Sequence, residues 1–251
     1  MMKKFQGKVA LITGGSKGIG GAIAIDLAAE GCNIALTYFR DKKSAEKIQK
    51  TVTGLGSDCL TIKSNLASHE DVIRTVKDAS KKFDKIDFLI NNAATGVNVK
   101  ADQLTIKHWD WVINTNSRAP WLMSIEVSKI MVDGGSIVNI SSLGSQKVLS
   151  NYFSVGVSKA ALEAITRYLS VELAPKNIKV NAISPGLVKT AALDAFPDSS
   201  NWKIMANKDT PAGRPLKVRD ITDLVKFLCS EDSTMIRGQT IIIDGGQSLI
   251  G

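Results

Sequence analysis

The amino-acid sequence predicts a single α/β domain, residues 1–251, built on a doubly wound parallel sheet. Three observations predict it. Short, nearly continuous apolar runs recur along the chain, the pattern of strands buried on both faces. Longer stretches of helical periodicity separate them, which makes the repeating unit βαβ. A glycine-rich loop lies at the first strand-to-helix junction, where such sheets hold phosphate groups.

The first run, "KVALIT" (8–13), leads directly into "GGSKGIGGAIAIDLAAEG", whose 20–31 stretch reads as a helix. The pattern Gly14-xxx-Gly18-x-Gly20, with Ser16, Lys17 and Ile19 inside it, permits a tight turn and lets a pyrophosphate approach the backbone. With a strand before and a helix after, it is a dinucleotide fingerprint, so the fold reads as a Rossmann fold. The second strand, "NIALTY" (33–38), ends in "FRDKK". Arg40, Lys42 and Lys43 gather there, with Lys17 in the loop. Sites preferring NAD carry an acid at this place; cations suit a 2′-phosphate, so NADPH is the expected cofactor. Asp41 complicates that reading, and a solvated basic turn is its alternative.

The third and fourth strands, "CLTIKS" (59–64) and "DFLIN" (87–91), run into Asn65–Leu66 and into Asn92–Ala93. Strand C-termini form the ligand crevice of an open α/β sheet. Asn65 is therefore a candidate for the adenine, and Asn92 and Ala93 for the cofactor. "SIVNIS" (136–141) is the fifth strand, and "KAALEAITRYLSVELA" continues a long apolar helix over 157–174. "IKVNAIS" (178–184) is the sixth strand; Pro185, Gly186, Val188 and Thr190 follow it and are placed on the nicotinamide face. Segment 187–216 holds three of the six prolines and mixed patterning, and reads as a substrate lid or as a structural excursion. "QTIIID" (239–244) is the last strand.

Composition narrows the function. With 44% hydrophobic and 22% charged residues and no long apolar run, a soluble cytoplasmic protein without a membrane span is expected. Three scattered cysteines and two isolated histidines offer neither a disulfide framework nor a metal site. The net charge of +8 is spread thinly, which disfavours nucleic acid. It leaves acidic ligands or carriers, or plain solubility, as its reason.

Taken together, "TGGSKGIG", "NNAA", "SS" at 141–142, Lys159, "PG" at 185–186 and the final "DGG" resemble the short-chain dehydrogenase/reductase family. The resemblance covers essentially the whole chain. It implies an active site of serine, tyrosine and lysine, with the tyrosine four residues before the lysine. Ser142 and Lys159 match; the tyrosine place is Val155, which has no acidic hydrogen. Tyr152, seven residues before Lys159, instead matches the spacing of bacterial enoyl-acyl-carrier-protein reductases, and the surrounding sequence is similar to the NADPH-dependent Bacillus type. The resemblance implies enoyl-thioester reduction, an acyl carrier protein as substrate carrier and a homotetramer. Alternatives are a 3-ketoacyl (carbonyl) reductase and a non-catalytic NADP-binding protein. Lys159 is assigned to the ribose hydroxyls and Tyr152 to the enolate oxygen. Ser142 either assists or caps its loop, and Asn116 either supports Lys159 through water or braces a helix. Tyr168 is expected to serve packing.

Overall fold

A computed structural model describes residues 3–190, 193 and 199–250. Its seven strands are Val9–Ile12 (β1), Asn33–Tyr38 (β2), Cys59–Lys63 (β3), Phe88–Asn91 (β4), Gly135–Ile140 (β5), Ile178–Pro185 (β6) and Thr240–Ile243 (β7). Each falls within a residue or so of its expected run. They form one sheet in the order β3-β2-β1-β4-β5-β6-β7, and every neighbouring pair is parallel. The chain reverses its direction of growth between β1 and β4, and that switch point is where an open sheet of this type binds its ligand.

Side-chain alternation along the strands divides the core into two layers. Ala10 and Ile12 of β1 join Ile23 and Leu27 of Gly18–Ala29 (α1), Val52 of Lys42–Gly54 (α2) and Val225 of Val218–Cys229 (α8). Val9 and Leu11 face the other way. They meet Val72 of His69–Phe83 (α3), Met123 of Ala119–Val127 (α5) and Leu169 of Phe153–Glu172 (α6). Two shorter helices are Ile106–Ile113 (α4) and Ser199–Met205 (α7).

Two expectations about α6 are corrected. It begins at Phe153, not at 157, because Asn151 takes a left-handed conformation (φ +56°) and turns the chain into the helix at once. Tyr152 is therefore the N-cap (φ −110°, ψ 14°) and not a residue of the helix. Tyr168 is 72% exposed and contributes nothing to the core of the single chain.

The 187–216 segment is described only in part, because 191, 192 and 194–198 lie outside the described residues. Its far end is held firmly. Thr210 presses on Gly245, and Ala212 N–H donates to Gly245 O at 3.1 Å. Asp244 accepts from Gly246 N–H at 2.9 Å and Ser248 N–H at 2.7 Å. The "DGG" motif is thus a turn that anchors the 210–214 loop. Among the described residues no helix is long and apolar enough to cross a membrane.

Candidate active site

The glycine loop is fastened from behind. Thr37 Oγ1 accepts from Gly14 N–H (3.0 Å), and Asn92 Nδ2 donates to Thr13 O (3.0 Å) and Gly14 O (3.1 Å). Thr13 Oγ1 in turn accepts the N–H groups of Asn92 and Ala93, both at 3.0 Å. These bonds lock the end of β1 to the end of β4. A Cβ on Gly20 would fall 2.5 Å from Gly14 O, so only glycine lets α1 press against the loop. Gly18 has φ +57°, and a Cβ there would meet open space. No side chain caps α1 at Lys17, and its first turn holds no acid. Free amides at a helix N-terminus with an open approach fit the pyrophosphate of a dinucleotide. Ser16 is buried beside this approach and Ile19 is half-buried against the core.

Beyond β2, Asp41 is accounted for. It is the N-cap of α2, accepting from Ser44 N–H (3.0 Å) and Ser44 Oγ–H (2.7 Å), and those bonds hold its carboxyl below the usual range. Lys17 Nζ lies 3.9 Å from it, and Lys42 pairs with Glu46 at 3.5 Å. Arg40 is exposed, with its guanidinium 5.0 Å from the Phe39 ring centroid. The cluster thus presents Arg40 and Lys43 more freely than Lys17 and Lys42. Asn65 is exposed after β3 and its N–H donates to Asp71 Oδ2 at 2.6 Å; Leu66 is buried.

Ser142, Tyr152 and Lys159 converge at the ends of β5 and α6. Tyr152 Oη donates to Ser142 Oγ at 3.3 Å. Ser142 Oγ also accepts Gly144 N–H at 3.2 Å, so it both caps its turn and touches the tyrosine. The Tyr152 ring lies on Gly144, where a Cβ would approach it to 2.5 Å. Burial raises the phenol's pKa above its ordinary value, so it stays protonated at neutral pH. Lys159 is buried and donates from Nζ to Ile140 O at 2.7 Å. Burial lowers its pKa to about 8, against the pull of Glu163. Val155 is buried and presses on Gly96, where a Cβ would lie 2.9 Å from Cγ2.

Asn116 sits in a π-turn, Asn114–Arg118, between α4 and α5. Its side chain accepts from Thr95 N–H (2.8 Å) and donates to Thr95 O (2.9 Å) and Ser158 Oγ (3.0 Å). It ties the loop after β4 to α6 one residue from Lys159. Pro185 ends β6. Gly186 lies so close to Asp244 that a Cβ would approach it to 2.7 Å. Val188 is buried in the core and Thr190 is half-buried. Sequence reasoning missed Glu163, a carboxylate buried beneath the Ser142 turn, and the buried ladder Asn91–Asn139–Thr166. A polar residue inside an apolar helix or strand was the one available signal. Burial disfavours the thiolate at all three cysteines: it raises Cys32 and takes Cys59 and Cys229 to about 12. No metal-binding cluster occurs among the described residues.

Residues 14–248 match the family model described as Enoyl-(Acyl carrier protein) reductase. The chain is 33% identical over 256 residues to the hydroxynaphthalene reductase-like protein Arp2 of Metarhizium guizhouense, covering 97% of this chain and 96% of that one. It is 33% identical over 248 residues to the 1-cyclohexenylcarbonyl-CoA reductase of Streptomyces collinus, with 97% and 88% covered. A solved short-chain dehydrogenase of Burkholderia cenocepacia in complex with NADP superposes with a TM-score of 0.90 at 32% identity, covering 98% and 99%. Sheet order, glycine loop and full-length similarity agree: the chain is an oxidoreductase and belongs to the short-chain dehydrogenase/reductase family.

Proposed function

We propose that this oxidoreductase is an NADPH-dependent enoyl-thioester reductase. One observation carries the reading. The hydroxyl that meets Ser142 belongs to Tyr152, while position 155, where the four-residue spacing puts a tyrosine, is a buried valine packed on Gly96. In ketone reduction the hydride-accepting carbon carries the oxygen that needs the acid. In enoyl-thioester reduction the hydride goes to the β carbon, and negative charge appears on the thioester oxygen two carbons away. An acid set back by three residues, at the N-cap of α6 instead of inside its first turn, lies farther from the hydride-accepting carbon and suits the second geometry.

Bound NADPH supplies the hydride. Lys159 holds the ribose hydroxyls, and its cation stabilises negative charge nearby. Tyr152, kept protonated by burial, donates to the thioester oxygen as the enolate forms; the α carbon then takes a proton and the thioester is restored. Ser142 orients the phenol. Arg40 and Lys43 receive the 2′-phosphate, and the NADP bound to the Burkholderia relative supports that choice. The family model's description and the Streptomyces relative, named for an unsaturated CoA thioester, support the enoyl substrate.

An acyl carrier protein remains the proposed partner, with exposed Lys189 and Lys208 as its contacts. Arg118 and Arg214 are less suited to it: Arg118 donates to Ala67 O at 2.6 Å and Arg214 is bidentate on Asp220. Exposed Val157, Tyr168 and Val171 share one face of α6 and support a homotetramer through that helix.

Carbonyl reduction is the second reading, favoured by the likeness to the hydroxynaphthalene reductase-like protein. NADPH consumption with crotonyl and with acetoacetyl thioester separates the two. The proposal requires turnover of the first and little of the second; the reverse preference refutes it.

A further inference from the structure

Glu163 lies one turn beyond Lys159 on α6 and is 5% exposed. An ionised carboxylate so placed is costly unless it is well bonded. Its bonds all run to one place. Oε1 accepts from Ser141 Oγ at 2.7 Å and from Ser145 Oγ at 2.5 Å, and Oε2 accepts from Gln146 Nε2 at 3.3 Å. Ser141 and Ser145 flank Ser142. Lys159 grips the same segment one residue earlier, through Ile140 O. Two successive turns of α6 therefore hold the end of β5 and the turn after it, with Ser142 between the two grips.

We propose that Glu163 is a positioning residue: it fixes the turn that presents Ser142 to Tyr152, and, one helical turn from Lys159 and buried with it, it is the counter-charge of that lysine. The inference rests on the assignment of Lys159 to the cofactor but not on the substrate's identity. Burial alone drives Lys159 toward the neutral amine, and Glu163 is the charge opposing it. Among the described residues no other nearby ion does so. β5 and the 141–146 turn carry no ionisable side chain. On α4, Lys107, His108 and Asp110 are exposed. Glu126 at the end of α5 pairs with Lys129. Arg118, Lys176 and Lys179 each bond a backbone carbonyl away from the site. Burial raises the Tyr152 phenol above its ordinary range.

The sign follows. The cation is the form that binds the ribose best, so NADPH affinity is full below about pH 8 and falls as pH rises through the Lys159 pKa. Glu163→Gln keeps the shape and an acceptor for the two serines but removes the charge. NADPH affinity of the free enzyme, titrated by fluorescence across pH, reads this without any substrate, so failure of the enoyl assignment leaves the test intact. The basic limb of Glu163→Gln is expected to move down by about one pH unit. Glu163→Leu removes the bonds as well; it is expected to share that shift and in addition to lose ~10-fold in kcat, because Ser142 is no longer held. If Glu163→Leu fails to fold, Ser141→Ala with Ser145→Ala reads the positioning half: kcat falls while the affinity limb stays in place. A Glu163→Gln limb that superimposes on the parent's, with at most a lower melting temperature, overturns the proposal.

Discussion

Replacing Tyr152 by Phe isolates one hydroxyl. The ring remains, and it still packs on Gly144. The hydroxyl's bond to Ser142 Oγ is long, 3.3 Å, and Ser142 retains Gly144 N–H as a partner. Loss of that bond costs about 1 kcal/mol, which in a chain of this size moves the melting temperature by only ~2–4 °C. Turnover is another matter. A donor aimed at developing charge is worth ~10²–10³ in kcat, so Tyr152→Phe is expected to lose that factor with an enoyl thioester. NADPH affinity, which the proposed function assigns to the glycine loop, Arg40 and Lys159, should stay within about twofold. The assay is NADPH absorbance under saturating cofactor, with fluorescence titration for affinity. Adding Val155→Tyr restores the four-residue spacing on paper but should not rescue the rate. Position 155 is buried against Gly96, and a phenol there has no room without moving the loop after β4. A Tyr152→Phe enzyme retaining most of its rate would refute the reasoning and leave Ser142 or a solvent proton as the acid.

Arg40→Ala should weaken NADPH by ~10–100-fold, the worth of a charge-assisted phosphate contact, and leave NADH nearly unchanged; equal losses would show that Arg40 does not read the 2′-phosphate. Gly144→Ala places a methyl 2.5 Å from the Tyr152 ring, so kcat should fall at least tenfold while NADPH affinity holds; a normal rate would mean that the ring is free to move. Because Lys159 drops from its ordinary 10.5 to about 8 on folding, the native state binds fewer protons between those values. Its stability penalty is full below about pH 8 and is relieved as pH rises toward 10.5. Thermal unfolding of the parent minus that of Lys159→Met should show this rise, and a flat difference would contradict it. A carrier-bound substrate should lose rate with added salt faster than a small thioester, since the Debye length is about 10 Å at 0.1 M. Identical slopes would argue for a small-molecule or coenzyme A substrate.

The strands were legible in the sequence because burial on both faces demands continuous apolar runs, and "NIALTY" and "IKVNAIS" have no other economical reading. The glycine loop was legible because its spacing has a mechanical purpose, visible in the contact Gly20 makes with Gly14 O. The start of α6 was not. Apolar periodicity says nothing of the left-handed turn at Asn151, so Tyr152 read as a helical residue when it is the cap. Asp41 looked like an acid competing for ribose and is a helix cap, a role decided by Ser44 three residues on. Glu163 was invisible because a glutamate within a helix usually faces water; only the Ser142 turn folding over it makes it interior.

Under the proposed function, the spacing of Tyr152 from Lys159 delivers hydride to a β carbon. NADPH carrying deuterium at its transferable position, supplied with a trans-2-enoyl thioester, tests this by product analysis. The account predicts a saturated thioester with one deuterium on the β carbon and a solvent-derived hydrogen on the α carbon, formed by the parent enzyme and hardly at all by Tyr152→Phe. Deuterium recovered only from a 3-ketoacyl substrate, on the carbon of a new hydroxyl, would contradict it.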